Sequence, residues 1–424
     1  MHYGNDFSHN IGREGVNVSE SQIKGKKRLG LALLLGLLAA FGPLTIDMYL
    51  PSFPDIAKDL ETTPSLVQLS LTACLLGLGF GQIVVGPLSD ANGRKRPLLI
   101  SICLYVAASF ACALAPNIGT LIVARFMQGF TAAAGIVISR AVVRDLFNGR
   151  ELTKFFSLLM LINGLAPILA PVFGGGILLV PGANWNWIFI VLTVLGAVMA
   201  VVVFSKLAET LPPEKRTPST LAHTLNTFKD LLKDRVFMGF ALTQGLMMGG
   251  IFAYVSGTPF VYQGIYGVSP QAFSILFGVN GLGIIVGTHL VGRYAGIIPE
   301  RVFLKVGLIT AVVASSVLLV MTIVQGPLFS IVIPVFLFVS MIGMVGTTSF
   351  SLAMETQGNR AGSASALLGL LPFVIGAATA PLVGVAGEET AVPMGLIMFL
   401  SSGASLMAFL LLAKGGKVKT EQEL

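Results

Sequence analysis

Charge is what this sequence has least of. Of its 424 residues only 11% are Asp, Glu, Lys or Arg, against about 25% in an ordinary soluble domain. A chain this poor in charge cannot clothe a water-exposed surface, and a bilayer removes that requirement. Cysteine is scarce as well. Cys74, Cys103 and Cys112 are an odd number and sit in apolar stretches, so they read as small buried hydrophobes rather than a disulfide framework. The four histidines, His2, His9, His223 and His289, show no metal-ligand spacing, and no metal is expected. There is no phosphate-binding Gly-rich loop ending in Lys-Ser/Thr and no His-Glu-x-x-His. Gly77-Leu-Gly79-Phe-Gly81 lies within an apolar run, where glycine serves close helix packing. No cofactor is therefore expected. An enzyme is not expected either, and work done by this chain would draw on an ion or solute gradient. The short alternating segments of a transmembrane barrel are also missing, which leaves an all-α class.

What is present is hydrophobic sequence, 54% of the chain, and glycine, 49 residues, about one and a half times ordinary usage. A bilayer crossing takes roughly 20 mostly apolar residues. Twelve stretches qualify: Leu29–Leu50, Leu66–Leu88, Leu98–Leu114, Ile118–Ser139, Phe155–Val180, Trp187–Phe204, Phe237–Tyr262, Gln271–Val291, Val302–Val324, Leu328–Met354, Ala361–Val385 and Val392–Leu412. Lys and Arg then set the orientation. Loops sharing the side of the N-terminus, with the two tails, hold 25 of the 27 basic residues; the other side holds Lys58, and Arg125 lies within a span. Asp55, Asp59, Glu61, Glu388 and Glu389 also fall on that other side. The net charge of +7 is thus a topology signal and implies no nucleic-acid partner. Both termini are expected in the cytoplasm.

The expected organisation is a polar cytoplasmic tail (1–28), a six-helix bundle (29–204), a cytoplasmic linker (205–235), a second six-helix bundle (236–413) and a short cytoplasmic tail (414–424). The first span is too long for a cleaved signal peptide and no small-x-small site follows it. The linker carries Pro212, Pro213 and Pro218, then an amphipathic run from Leu221 to Leu232. Six spans on either side suggest an internal repeat and a protein able to work as a monomer.

Asp47 and Arg125 are the ionisable groups that the bilayer makes hardest to explain. A carboxylate within a span is a functional-site hypothesis by default. Burial favours its neutral form and a nearby cation its charged form, so it could exchange a proton for a cationic or polar compound. The competing reading has Asp47 wetted and capping the helix near Pro51. Arg125 sits seven residues inside its span, about 10 Å from the outer end, at a depth similar to Asp47; its plainer reading is a structural arginine bonded to backbone carbonyls of the first span. Tyr49, Gln128, Tyr254 and Asn280 could line a pocket or be satisfied structural groups.

Four motifs point one way. Gly86-Pro-Leu-Ser-Asp90-Ala91-Asn-Gly93-Arg94-Lys95-Arg96 resembles the loop motif of the major facilitator superfamily, with Ala91 where the family has Arg. Leu121-Ile-Val-Ala-Arg125-Phe-Met-Gln128-Gly129 resembles the fourth-helix motif of its drug-exporting branch. Asn163-Gly-Leu-Ala-Pro167-Ile-Leu-Ala170-Pro171-Val-Phe-Gly174-Gly175 resembles the fifth-helix antiporter motif, with Ala170 replacing Gly. Pro43-Leu-Thr-Ile-Asp47-Met-Tyr49-Leu-Pro51 resembles the first helix of the bicyclomycin/chloramphenicol-type multidrug efflux group. In the second half the match is mainly Ala361-Gly362-Ser363-Ala364-Ser365.

The resemblance implies twelve helices in two pseudo-symmetric bundles that rock about a central cavity in the bacterial inner membrane. It implies an exporter of small drug-like molecules in exchange for protons, with Asp47 and Arg125 coupling proton movement. It also implies that Arg94 pairs with Asp145 and that Asp90 faces the start of the eleventh span near Gly362. Together with Gly86, Gly93 and Arg144 these would form a latch on the cytoplasmic side. The plainer alternative is a solvated loop, since exposed ion pairs contribute about 0–1 kcal/mol. Pro167, Pro171, Gly174 and Gly175 would seal the fifth span against proton leak, or simply pack it. Two rival functions stay open: export of a sugar, amino acid or polyamine, and a membrane enzyme or sensor. The last predicts clustered nucleophiles or a large soluble domain, and the sequence has neither.

Overall fold

The computed structural model describes residues 26–147, 149–216, 221–355, 357, 361–387 and 389–413. The expected tails lie outside these residues except for 26–28, which open the first helix. Arg360 and Glu388 lie outside them too.

Twelve long helices carry the expected spans. They are α1 (Lys26–Asp47), α3 (Pro64–Asn92), α4 (Lys95–Ala113), α5 (Ile118–Leu146), α6 (Gly149–Ile177), α7 (Trp185–Lys206), α9 (Arg235–Thr258), α10 (Pro270–Arg293), α11 (Glu300–Ile323), α12 (Leu328–Met354), α13 (Ala361–Thr379) and α14 (Val392–Leu412). Two shorter helices join them, α2 (Phe53–Asp59) after α1 and α8 (Leu221–Lys233) in the linker. No strand occurs among the described residues. Eleven of the long helices are apolar enough to cross a bilayer by length and composition among the described residues. The twelfth, α6, contributes its apolar stretch Gly164–Ile177.

Three spans depart from the expected continuous helix, all at the end away from the basic loops. The first stops at Asp47 and continues as a 3₁₀ turn, Leu50–Ser52, into α2. The seventh changes from α9 to a π-helical turn, Pro259–Ile265, and the eleventh from α13 to a 3₁₀ segment, Ala380–Ala386. The cause is local: Pro51, Pro259 and Pro381 bring no backbone N–H to the ladder, so the hydrogen-bond register shifts where each enters.

The packing repeats. In the first half α3 lies on α5, α1 on α6, and α4 on α5 and α7; in the second, α10 lies on α12, α9 on α13, and α11 on α12 and α14. Each pair is the counterpart of another six spans along, which gives two pseudo-symmetric six-helix bundles. The halves meet through α6 against α10 and α3 against α13, again a symmetric pair of contacts.

Glycine marks close packing both within a half and between halves. Within the first half, a Cβ at Gly129 would strike the carbonyl of Cys74, and one at Gly77 the carbonyl of Phe126. There α3 and α5 touch backbone to backbone, the close approach that small residues permit. Between halves, a Cβ at Gly281 would meet the side chain of Ile168, and one at Gly79 the end of Leu370. At Gly281 and Gly79 the inter-half contact is made by side chains that can re-rotate, while α3 and α5 are locked at their backbones. Nearer the closed end the halves also meet at backbone, where a Cβ at Gly384 would lie 2.7 Å from Ser65 N.

Three side-chain hydrogen bonds cross between the halves among the described residues. Gln68 Nε2 donates to Ser256 O (3.1 Å), Gln263 Nε2 to Pro51 O (3.1 Å) and Gln271 Nε2 to Gly175 O (3.2 Å). The Phe53 and Phe260 rings add a contact at 5.9 Å between centroids. All lie at the end away from the basic loops, where the halves are closed.

Candidate functional site

Between the halves lies a cavity of about 210 Å³. Pro43, Ile46 and Asp47 of α1 and Pro167 of α6 form one side; Met248, Phe252, Tyr254, Phe277, Asn280 and Phe373 of the second half form much of the other. Asp47 is the one carboxylate among the described lining residues. It is 5% exposed, and among the described residues it has no ion-pair partner. Its position follows from the break in the first span. As the last residue of α1 it is held by helix on one side and a turn on the other. Opposite, Asn280 Nδ2 donates to Tyr254 Oη at 2.8 Å, and the Tyr254 ring stacks on Phe277 at 5.1 Å. Aromatic, thioether and aliphatic groups thus surround one carboxyl and one amide–phenol pair.

Arg125 lies elsewhere. It is fully buried inside the first half. Its Nη1 donates to Gln128 Oε1 at 2.5 Å, and Gln128 Nε2 donates on to Ser109 Oγ at 2.8 Å. The guanidinium carbon sits 4.1 Å from the Tyr49 ring centroid and 5.6 Å from that of Phe189. Both are cation–π distances, and such contacts gain strength when desolvated. Nε and Nη2 have no hydrogen-bond partner among the described residues. Tyr49 is held by Ser70 (Oη···Oγ 3.3 Å) and by Phe53 at 4.8 Å. Thr45 Oγ1 and Tyr105 Oη share a further bond of 2.8 Å.

The residues grouped from sequence therefore divide. Asp47, Tyr254 and Asn280 come together at the inter-half cavity, whereas Tyr49, Gln128 and Arg125 form a buried network within one half. Tyr49 and Gln128 do not line the cavity, contrary to a pocket role for them. For Tyr49 the reason is the end of α1: it lies in the turn after Asp47, and its ring covers Arg125 inside the first half. Arg125 and Asp47 form no ion pair among the described residues.

The loop between α3 and α4 makes the second constellation. Gly93, at φ +86°, ends α3 in a conformation that suits glycine. Arg94 follows, 6% exposed. Its Nε donates to Asp145 Oδ2 at 2.9 Å and Nη2 to Asp145 Oδ1 at 3.3 Å, a bidentate pair. Nη1 donates to Ser89 Oγ at 3.0 Å and pairs with Asp90. Asp90 is thus engaged by Arg94 within the first half. Gly362 is the second residue of α13, which packs along α3, and its surroundings, where Asp90 is expected to face it, lie outside the described residues. Arg144 is exposed, as is Ala91, where the loop motif ordinarily has Arg. Gly86 lies within α3, its nearest neighbour across the interface being Val137.

In the antiporter-like stretch, Pro167 lines the cavity and Pro171 is buried. A Cβ at Gly174 would strike the Met48 carbonyl, and one at Gly175 would come within 2.5 Å of Ser274 Oγ. The first glycine seats α6 on the turn after α1 and the second seats it on α10. Ala170, in place of glycine, is fully buried and accommodated.

Sequence reasoning missed Ser109, Tyr105, Thr45 and Ser70 around Arg125, and Ser89, Glu209 and Thr210 around Arg94. Small hydroxyl residues carry no pattern that separates a network member from a helix-packing residue. Glu209 lies over a hundred residues from the loop it touches.

The chain matches the family model described as the Major Facilitator Superfamily over residues 35–381. It is 60% identical over 390 residues to an uncharacterized MFS-type transporter, YdgK, of Bacillus subtilis, covering 92% of this chain and 97% of that one. It is 33% identical over 377 residues to a bicyclomycin resistance protein homolog of Haemophilus influenzae, covering 89% and 94%. A bacterial homolog of the human lysosomal transporter Spinster, in an inward-facing and unoccupied conformation, superposes with a TM-score of 0.73 at 15% identity, over 94% of this chain and all of that one. Twelve helices in two like-packed halves, a cavity between them and a family match across both establish that the chain belongs to the major facilitator superfamily and is a multi-pass membrane transporter.

Proposed function

We propose that this transporter is a proton-coupled antiporter that exports small amphipathic, drug-like compounds across the bacterial cell membrane by alternating access. The observation that carries the reading is Asp47, a lone carboxylate in an apolar, aromatic cavity between the halves. In such surroundings a carboxylate costs least when protonated or when a bound cation or donor group compensates it. Proton and drug then compete for one group, which is the minimal requirement for exchange. Phe252, Phe277 and Phe373 offer ring faces to the apolar part of a substrate, and the Tyr254–Asn280 pair offers polar contacts. Backbone-locked packing inside each bundle, as between α3 and α5, with adaptable side-chain contacts around Gly281 and Gly79, supports rocking about the cavity. The relative named for bicyclomycin resistance supports drug export as the direction of transport.

Arg125 has a supporting place in this reading. Its uncompensated charge, close to the turn that ends α1, biases the conformation of that turn and so the exposure of Asp47. The Arg94–Asp145 pair serves as a latch on the basic face. The test is transport in proteoliposomes with an imposed pH gradient, using a cationic amphipathic dye as substrate. Wild-type protein should concentrate the dye against its gradient, and Asp47→Asn should lose that ability. Full gradient-driven transport by Asp47→Asn sinks the proposal.

A further inference from the structure

We propose that Glu209 is a positioning residue of the Arg94 latch, holding the first turn of α4 and fastening the first part of the inter-half linker to the N-terminal half. The inference rests on the latch reading of Arg94 given above. Arg94 precedes α4 with helical backbone angles, and no side chain at that position caps the helix. The first N–H groups of a helix have no partner within it. Here the partner comes from the linker: Glu209 Oε1 accepts from the Arg94 N–H at 2.7 Å and Oε2 from the Lys95 N–H at 3.1 Å. A carboxylate at this end also complements the helix dipole. The same Oε1 accepts from the Thr210 and Leu211 N–H groups, both at 3.0 Å, so the linker folds around the carboxylate as well.

The neighbouring residue completes the joint. Thr210 Oγ1 donates at 3.0 Å to Asp145 Oδ2, the oxygen that also accepts from Arg94 Nε. Arg94 is thus fixed twice, its side chain by Asp145, Asp90 and Ser89 and its backbone by Glu209. Gly93 is part of the fit, because a Cβ there would lie 2.6 Å from Glu209 Oε2 and 2.9 Å from Arg216 Nη2. Lys95 Nζ donates to Phe204 O at 2.9 Å, closing the loop onto the end of α7.

The consequence concerns how the halves are tethered. Leu207 and Leu211 are buried beside this joint, so the first part of the linker moves with the N-terminal half. The second part, α8, packs on α9 and α13 with Phe228 and Leu231 buried, and moves with the C-terminal half. The tether between the halves therefore begins beyond Arg216 rather than at the end of α7. Loss of Glu209 lengthens it and releases the Arg94 backbone together.

The test uses full-length protein in nanodiscs without substrate, so it is independent of whether drugs are carried. Hydrogen exchange at the Arg94 and Lys95 amides should accelerate at least about tenfold in Glu209→Ala, the factor that corresponds to about 1.4 kcal/mol. Glu209→Gln keeps one accepting oxygen and should lose protection at only one of the two amides. Wild-type protection of both amides in Glu209→Ala overturns the proposal. A second readout is the distance distribution between spin labels at the basic-face ends of α5 and α12. It should shift in Glu209→Ala; an unchanged distribution overturns the positioning role.

Discussion

The guanidinium carbon of Arg125 lies 4.1 Å from the centre of the Tyr49 ring, while Asp47, two residues before Tyr49, lines the inter-half cavity. One turn of chain thus carries a carboxylate into the path between the halves and an aromatic lid onto a buried cation. The end of α1 at Asp47 makes this division. Movement of that turn alters both sites together.

Removing the aromatic lid exposes the cost of the buried cation. Tyr49→Leu should lower stability by about 2 kcal/mol, the scale of a desolvated cation–π contact. Tyr49→Phe, which keeps the ring and loses only the 3.3 Å bond to Ser70, should cost about 1 kcal/mol or less. Thermal unfolding of the purified protein in detergent checks the order; equal losses would assign the stabilisation to the hydroxyl.

Asp47→Asn should fold normally, because Asp47 has no ion-pair partner among the described residues to lose. It should bind a cationic amphipathic dye with an affinity that no longer changes with pH, whereas wild-type binding should weaken as pH falls. Fluorescence-anisotropy titrations across pH 5 to 8 decide this. A pH dependence that survives the substitution would place the proton elsewhere.

The Arg94–Asp145 pair is bidentate and largely shielded, so it should behave unlike an exposed ion pair. A double-mutant cycle with Arg94→Lys and Asp145→Asn should give a coupling of about 1.5–3 kcal/mol, the range for hydrogen bonds to charged groups. Lysine cannot reproduce the fork, so Arg94→Lys should be costly despite keeping the charge. A coupling near zero would return the loop to a solvated role.

Glu209 gives the basic face an acid limit. Burial raises its carboxyl pKa, but the N–H groups of Arg94, Leu211, Lys95 and Thr210 outweigh burial and hold it below the ordinary glutamate value. A depressed folded pKa means that Glu209 contributes stability above the ordinary glutamate range. That contribution falls away as pH drops through the lowered folded value. Hydrogen exchange at Arg94 and Lys95 should therefore stay protected at neutral pH and accelerate, beyond its intrinsic pH dependence, only under acid. Acceleration already at neutral pH would contradict it.

Two glycine substitutions should separate folding from transport. Gly129→Ala drives a Cβ into the Cys74 carbonyl, and overpacking of this kind costs typically about 1–3 kcal/mol. Gly281→Ala meets the Ile168 side chain, which can turn aside, so stability should hold while transport slows. Paired thermal melts and dye-efflux rates test the contrast. Equal destabilisation would mean that the inter-half surface is as rigid as the bundles.

The membrane class, the helix count and the six-plus-six division are all legible in sequence, because each is written in local composition. A bilayer demands about 20 apolar residues per crossing, and basic residues mark the loops of one side. The asymmetry persists through twelve spans, which leaves little room to miscount them. Asp47 and Arg125 stand out for the same reason, as charges in apolar runs. Pro51, Pro259 and Pro381 were also visible, but proline alone does not say whether a span bends, ends or shifts register.

Only the tertiary structure decided which residues share a site. Tyr49 and Gln128 joined Arg125 inside one bundle, and Tyr254 and Asn280 joined Asp47 between bundles, because helical phase and the end of α1 orient side chains in ways that spacing does not record. Glu209 reached the α3–α4 loop from over a hundred residues away. Linear sequence determined where the chain lies relative to water and lipid, since that partition is additive residue by residue. The three-dimensional packing determined which charges meet and which are left alone, since that depends on the relative rotation of whole helices.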